Sequence, residues 1–72
     1  MTIFELCDKY ELSLSPDTED MLKAITKLSG HHVTVPEDIE AAIDCAIVRE
    51  GGDPSMMTLR EKRNFLVDAA FK

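Results

Sequence analysis

The sequence has few of the features that mark enzymes, membrane proteins or disulfide-bonded domains. It contains two cysteines, three glycines and no tryptophan among 72 residues. The longest apolar run is the four residues from Cys45 to Val48, whereas a membrane-spanning helix needs about 20. A glycine-rich phosphate-binding loop and a G-x-S-x-G nucleophile motif are both lacking. We therefore expect a non-enzymatic protein with no catalytic residues, no cofactor and no membrane segment.

The cysteines and histidines are too few and too scattered to predict a metal site. Structural zinc ligands come in close pairs such as C-x₂-C, because one turn supplies each pair. Here His31 and His32 are adjacent, whereas Cys7 and Cys45 stand alone in apolar patterns. The N-terminal residues also lack the basic and apolar regions of a secretion signal. We expect a cytoplasmic protein with two reduced thiols and no bound metal.

Basic residues are scarce and unevenly placed. The chain has 14 acidic and 8 basic side chains and a net charge of −6. Residues 1–58 carry a net charge of −8 and residues 59–72 a net charge of +2. An acidic body repels phosphate backbones and favours basic protein partners, although such a surface can also serve solubility alone. The predicted acidic partner face comprises Asp17, Glu19, Asp20, Glu40 and Asp44.

Helix-start patterns divide the chain into four segments. The capping-box pattern T-x-x-E occurs at Thr2, Thr34 and Thr58, and Ser15 precedes a proline. An apolar pattern with helical spacing follows each of these positions. The helices are therefore predicted at about residues 3–11, 16–29, 36–50 and 58–71. This pattern predicts an all-α fold, a small bundle of three main helices plus a short N-terminal helix, in one domain over residues 1–72.

Residues 31–35 alternate between polar and apolar side chains and end at Pro36. They could form a short strand, but an extended linker fits the proline better. A strand followed by two helices would resemble a ribbon-helix-helix DNA-binding repressor, with His32 and Thr34 facing the bases. This segment has no lysine or arginine, the residues that normally carry affinity for nucleic acid. We keep the repressor as an alternative and do not expect a nucleic-acid partner.

The third and fourth helices have more apolar surface than one small core uses. On the fourth, apolar residues spread over about 240°, against about 100° for a one-sided amphipathic helix. Either these helices form the centre of a monomeric bundle, or the surplus is an interface. We predict a homodimer, because a core of this size contributes only roughly 3–5 kcal/mol. The predicted interface patch is Leu59, Phe65, Leu66, Ala69 and Phe71, with a second strip of Ala41, Cys45 and Val48.

Part of the apolar spacing forms a pattern that is found in a known family, and the residues that carry it are Met21, Leu22, Ile25, Leu28, Ser29, Gly30, Ile39, Ile43, Ile47, Leu66 and Val67. Residues 15–71 resemble the small helical AriR-type regulators of enteric bacteria, two-component connector proteins linked to biofilm formation and acid resistance. The resemblance implies a non-enzymatic helical dimer that docks on other regulatory proteins, and it transfers no catalytic residue. The 51–55 loop and the acidic first helix depart from the pattern.

These observations predict the same kind of function. We expect a small acidic regulatory protein that acts through protein–protein contact as a homodimer, with a protein partner that the sequence does not identify. Two alternatives stay open: the DNA-binding repressor, and a phage- or plasmid-encoded inhibitor of a host protein.

Overall fold

Helices make up most of the computed structural model, which describes residues 1–10 and 15–71. The described residues form α1 (Ile3–Lys9), α2 (Pro16–Ser29), α3 (Ile39–Arg49), a 3₁₀ turn (Pro54–Met56) and α4 (Leu59–Phe71). They contain no β-strand, so the predicted all-α fold is confirmed. No helix in this part of the chain has the length and apolar character needed to cross a membrane.

Three of the four helices begin at the predicted caps. The Thr2 hydroxyl accepts from the Glu5 amide at 3.2 Å, and the Glu5 carboxylate accepts from the Thr2 amide at 3.1 Å. Hydrogen bonds from the Thr2 backbone and side chain hold the pKa of the Glu5 carboxyl below its usual value. Thr58 and Glu61 form the same reciprocal pair before α4, and Ser15 caps α2. These contacts satisfy amides that have no partner within the helix.

The predicted capping box at Thr34 is wrong. Asp38 is the residue that caps α3, and its carboxylate accepts from the Glu40 amide at 2.9 Å. α3 therefore begins three residues later than predicted and ends at Arg49, one residue earlier. The physical reason is Pro36, which favours extended backbone at the residue before it and so delays the helix. α1 ends at Lys9 with Tyr10 as its C-cap, so the predicted helical state of residue 10 is wrong, and residue 11 lies outside the described residues.

Residues 31–35 form a linker and no strand: His31 and His32 lie in a turn, and residues 33–35 run along the N-terminal segment. The Val35 amide donates to the Met1 carbonyl at 2.8 Å, and the Ile3 amide donates to the Val33 carbonyl at 3.1 Å. Thr34 forms an isolated antiparallel bridge with Thr2. Because the Val35 side chain is buried, these bonds fasten α1 and the linker to the same core.

The core draws on every α-helix and contains apolar side chains only. No polar or charged side chain is buried in the described part of the chain. The hydrophobic effect is therefore the main favourable contribution to the fold. The buried residues are Ile3, Leu6, Met21, Leu22, Ala24, Ile25, Val35, Ala42, Ile43, Ala46, Ile47, Leu66 and Ala70.

α4 lies alongside α2, and the two helices run in the same direction. Three side-chain contacts join them in the same order along both helices, which defines the parallel arrangement. α3 supplies the connection that brings the chain back to the start of α2. From the amino to the carboxyl ends, the contacts are Asp17–Arg60, Asp20–Arg63 and Lys27–Phe71.

We expect Asp38→Ala to lower the free energy of unfolding by about 1 kcal/mol, because it removes the N-cap of α3. The neighbouring acid Glu37 belongs to the predicted capping box and is exposed. Glu37→Ala is thus a matched control, and it should change the stability by less than roughly 0.5 kcal/mol. Urea unfolding followed by circular dichroism measures both. Equal losses for the two variants would contradict a helix start at Asp38.

Candidate functional site

The predicted interface patch of α4 is divided between the core and the surface. Leu66 is 0% exposed and packs in the core, so its prediction as an interface residue is wrong. The reason is that α4 packs along α2 and turns the side carrying Leu66 and Ala70 inward. Phe65 and Ala69 are half-buried, whereas Leu59 and Phe71 stay exposed. Only the ends of α4 therefore present large apolar side chains to a partner.

Phe65 has a role in the monomer that the sequence did not indicate. Its ring lies over Gly52, where an added Cβ would come within 2.9 Å of the ring and 2.7 Å of Ile47 Cγ2. The Gly52 amide also donates to the Ile47 carbonyl at 2.9 Å. Gly52 thus allows the loop after α3 to lie between α3 and the Phe65 ring. Helical periodicity cannot reveal this contact, because the contact depends on where the loop crosses α4.

Most of the predicted acidic partner face is paired within the chain. Glu19 pairs with Lys23 on the same helix at 3.4 Å. Of the five predicted acids, only Glu40 has no ion pair among the described residues. The basic side chains of α4 therefore bind acids of α2 and α3, and steering of a partner by these acids stays a prediction. The pairs are Asp17–Arg60 at 3.4 Å, Asp20–Arg63 at 3.1 Å and Asp44–Lys62 at 2.8 Å.

Asp44→Asn is expected to lower the free energy of unfolding by about 0.5–1 kcal/mol, because it weakens the contact with Lys62 that joins α3 to α4. The loss should shrink at about 1 M salt, where screening acts over about 3 Å. Glu40→Gln, one turn earlier on α3, is the control and should have little effect at either salt concentration. Chemical unfolding at low and high salt tests this. A loss for Glu40→Gln as large as that for Asp44→Asn would contradict the role of the ion pair.

The second predicted strip lies on the outer side of α3. Cys45 and Val48 are exposed and Ala41 is half-buried. These side chains lie outside the core cluster, and their small size leaves room for another helix to approach. Whether a partner uses this strip stays a prediction.

A groove of about 440 Å³ lies between α1 and α2. Its apolar lining comes from Phe4, Cys7 and Leu22, and Glu19 and Lys23 line it on α2. The Phe4 ring is 61% exposed and lies 6.5 Å from the His31 ring, centroid to centroid. The sequence does not indicate this groove, because Phe4 lies outside the apolar stripe of α1 and the spacing does not show how α1 packs on α2.

The groove contains one thiol, that of Cys7. Burial raises the pKa of the Cys7 thiol, so less thiolate is present at neutral pH than for an exposed cysteine. Cys7 and Cys45 are both unbonded thiols. Within residues 1–10 and 15–71, no group of three or more histidine, cysteine, aspartate or glutamate side chains is placed to hold a metal ion.

The geometry also bears on the repressor hypothesis, in which His32 and Thr34 would lie on a strand that pairs with a second copy. Backbone groups of Val33 and Val35 instead bond to residues 1–3 of the same chain. These contacts do not support the repressor hypothesis, and DNA binding stays an untested alternative.

A scan against models of protein families, a search of curated proteins and a search of solved structures each found no match. The resemblance to AriR-type regulators therefore stays a prediction. The function has to be inferred from the surfaces of the molecule.

Proposed function

We propose that this chain is a small, non-enzymatic regulatory protein of the cytosol that acts through protein–protein contact, and that it forms a homodimer. The observation that carries the proposal is the amount of apolar side chain left outside a complete core. Exposed apolar side chains favour association where they lie close enough together to form one patch. The side chains and their exposed fractions are Phe4 (61%), Val48 (61%), Met56 (78%), Leu59 (51%) and Phe71 (54%).

The charge distribution supports a protein partner over a nucleic acid. Arg60, Lys62 and Arg63, three of the four basic residues of the positive segment, pair with acids of the chain itself. α4 (Leu59–Phe71) therefore offers a phosphate backbone no unpaired basic side chain, and the net charge of −6 repels such a backbone.

The small size of the chain supports a homodimer. Its own core contributes only roughly 3–5 kcal/mol. Burying one exposed Phe or Leu side chain in an interface contributes about 1.5–3 kcal/mol, which is comparable with that stability. Association with a second copy would therefore stabilise the fold and cover exposed apolar side chains in one step.

Affinity capture tests the proposal that the chain binds other proteins. Cytosol of the native host is passed over the immobilised wild-type chain and over the double variant Phe4→Ser/Phe71→Ser. We expect a defined set of proteins to bind the wild type and to be lost from the variant. Glu37→Ser/Glu50→Ser, which changes two exposed acids outside the predicted acidic partner face, is the control and should retain the same set. Equal capture by all three would contradict a role for the exposed apolar groups.

A further inference from the structure

We propose that a second copy of the chain binds at the face formed by α1 and α2. This α1–α2 face is defined as the groove between the two helices together with Asp8 and Lys23. In the dimer, the Phe4 ring of each copy enters the groove of the other, and Asp8 of each copy faces Lys23 of the other. The inference rests on the proposed function, because it assigns the homodimer to one surface.

The centre of this face combines an exposed apolar side chain with an apolar depression. Phe4 is 61% exposed, and the groove beside it has an apolar lining from Cys7 and Leu22. The groove volume of about 440 Å³ falls within the range of about 300–1,000 Å³ of sites that enclose ligands, so it has room for an aromatic ring. A twofold interface needs a patch that contains both complementary parts, and this face has them side by side.

The charges around the groove are arranged to complement a second copy. Asp8 lies one helical turn after Phe4 on α1 and is exposed. Lys23 lines the groove on α2 beside Glu19, its ion-pair partner on the same helix. Asp8 on α1 and Lys23 on α2 become opposite partners when the face is rotated by a twofold axis. Among the described residues, Asp8 has no ion pair, and Lys23 pairs with Glu19 through two largely exposed side chains.

The area that a dimer requires is compatible with a single face. A stable interface buries about 800 Å² on each partner. The molecule exposes 4510 Å² in total, so less than a fifth of its surface has to be covered. Val48 on α3 is 61% exposed, the same fraction as Phe4. Substitutions at the two residues therefore compare the α1–α2 face with the outer side of α3.

The first test compares Phe4→Ser with Val48→Ser by sedimentation equilibrium. Both residues are equally exposed, so neither variant should lose the fold, and circular dichroism verifies this. We expect Phe4→Ser to weaken dimerisation by about 100-fold, because both copies lose a central anchor, and Val48→Ser to leave it within about threefold. Loss of the dimer in Val48→Ser but not in Phe4→Ser would assign the interface to α3 and overturn the proposal.

The second test exchanges the charges. Asp8→Lys and Lys23→Glu are prepared as separate chains, and each should dimerise roughly 10-fold more weakly or worse, because like charges then face each other twice. An equimolar mixture should recover association close to that of the wild type, since both opposite-charge contacts are restored in the mixed dimer. If the mixture associates as weakly as each variant alone, Asp8 and Lys23 do not face each other and the proposal fails.

Alkylation of the two cysteines separates a wrong surface from the absence of a dimer. Cys7 lines the groove and Cys45 is exposed on α3. As protein concentration rises through the dimerisation range, the alkylation rate of Cys7 should fall while that of Cys45 stays constant. Protection of Cys45 instead would overturn the α1–α2 face and leave the homodimer standing. If sedimentation gives the mass of a monomer at every concentration, the homodimer is overturned as well. If the groove of a monomer captures another protein, that protein replaces the second copy as the occupant of the groove.

Discussion

Leu66→Ala is expected to unfold most of the population or to leave it barely stable. Leu66 is 0% exposed in the core. Truncating a buried leucine costs about 2–5 kcal/mol through lost burial and the cavity left behind. A chain of this size has a stability of roughly 3–5 kcal/mol, so one substitution can remove most of it. Urea unfolding monitored by far-UV circular dichroism measures the loss.

Leu59→Ala is the matched control for that result. It removes the same atoms from the same helix, but Leu59 is 51% exposed. We expect a loss of less than about 1 kcal/mol, because little burial disappears and no enclosed cavity forms. If Leu66→Ala behaved like Leu59→Ala, Leu66 would be a surface residue, and its place in the core would be contradicted.

Gly52→Ala is expected to lower the free energy of unfolding by about 1–3 kcal/mol, the usual range for overpacking. An added Cβ would lie 2.7 Å from Ile47 Cγ2 and 2.9 Å from Phe65 Cζ. The Ile47 contact is the harder to relieve, because its branched carbon is attached close to the backbone of α3. Unfolding by urea gives the magnitude.

The Phe65 ring provides the control for Gly52. In a Phe65→Ala background, Gly52→Ala should cost measurably less, because one of the two overlapping groups is gone. Gly51→Ala behaves differently: it meets no atom within 4 Å, but Gly51 has a φ of +88°, which side chains rarely adopt. Its loss should therefore be independent of Phe65. Equal losses for Gly52→Ala with and without the Phe65 ring would contradict the packing of Phe65 over the loop.

The helices themselves were largely predictable from local chemistry. The hydroxyls of Thr2 and Thr58 and the Ser15–Pro16 pair mark helix starts within the sequence, and the structure confirms all three. Thr34 fails as a cap because competing local effects decide the outcome. Pro36 extends the backbone before it, and Asp38 offers a better-placed carboxylate.

The candidate surfaces were less predictable, because they depend on how the helices pack. A helical wheel shows that α4 is apolar over a wide arc, but it does not show that α2 covers Leu66. The charge asymmetry of the chain was visible in the sequence, whereas the pairing of Asp20 with Arg63 required the parallel arrangement of α2 and α4. The groove beside Phe4 likewise exists only once α1 and α2 are placed against each other.

Association of the chain with a second copy is the central claim, and sedimentation equilibrium of the unmodified protein tests it most directly. A dimer with a dissociation constant of about 1–10 μM corresponds to roughly −7 to −8 kcal/mol, within reach of one small apolar interface. We predict that the mass rises from 8.1 kDa to twice that value as the concentration passes through this range. A mass of 8.1 kDa at every concentration up to hundreds of micromolar would contradict it.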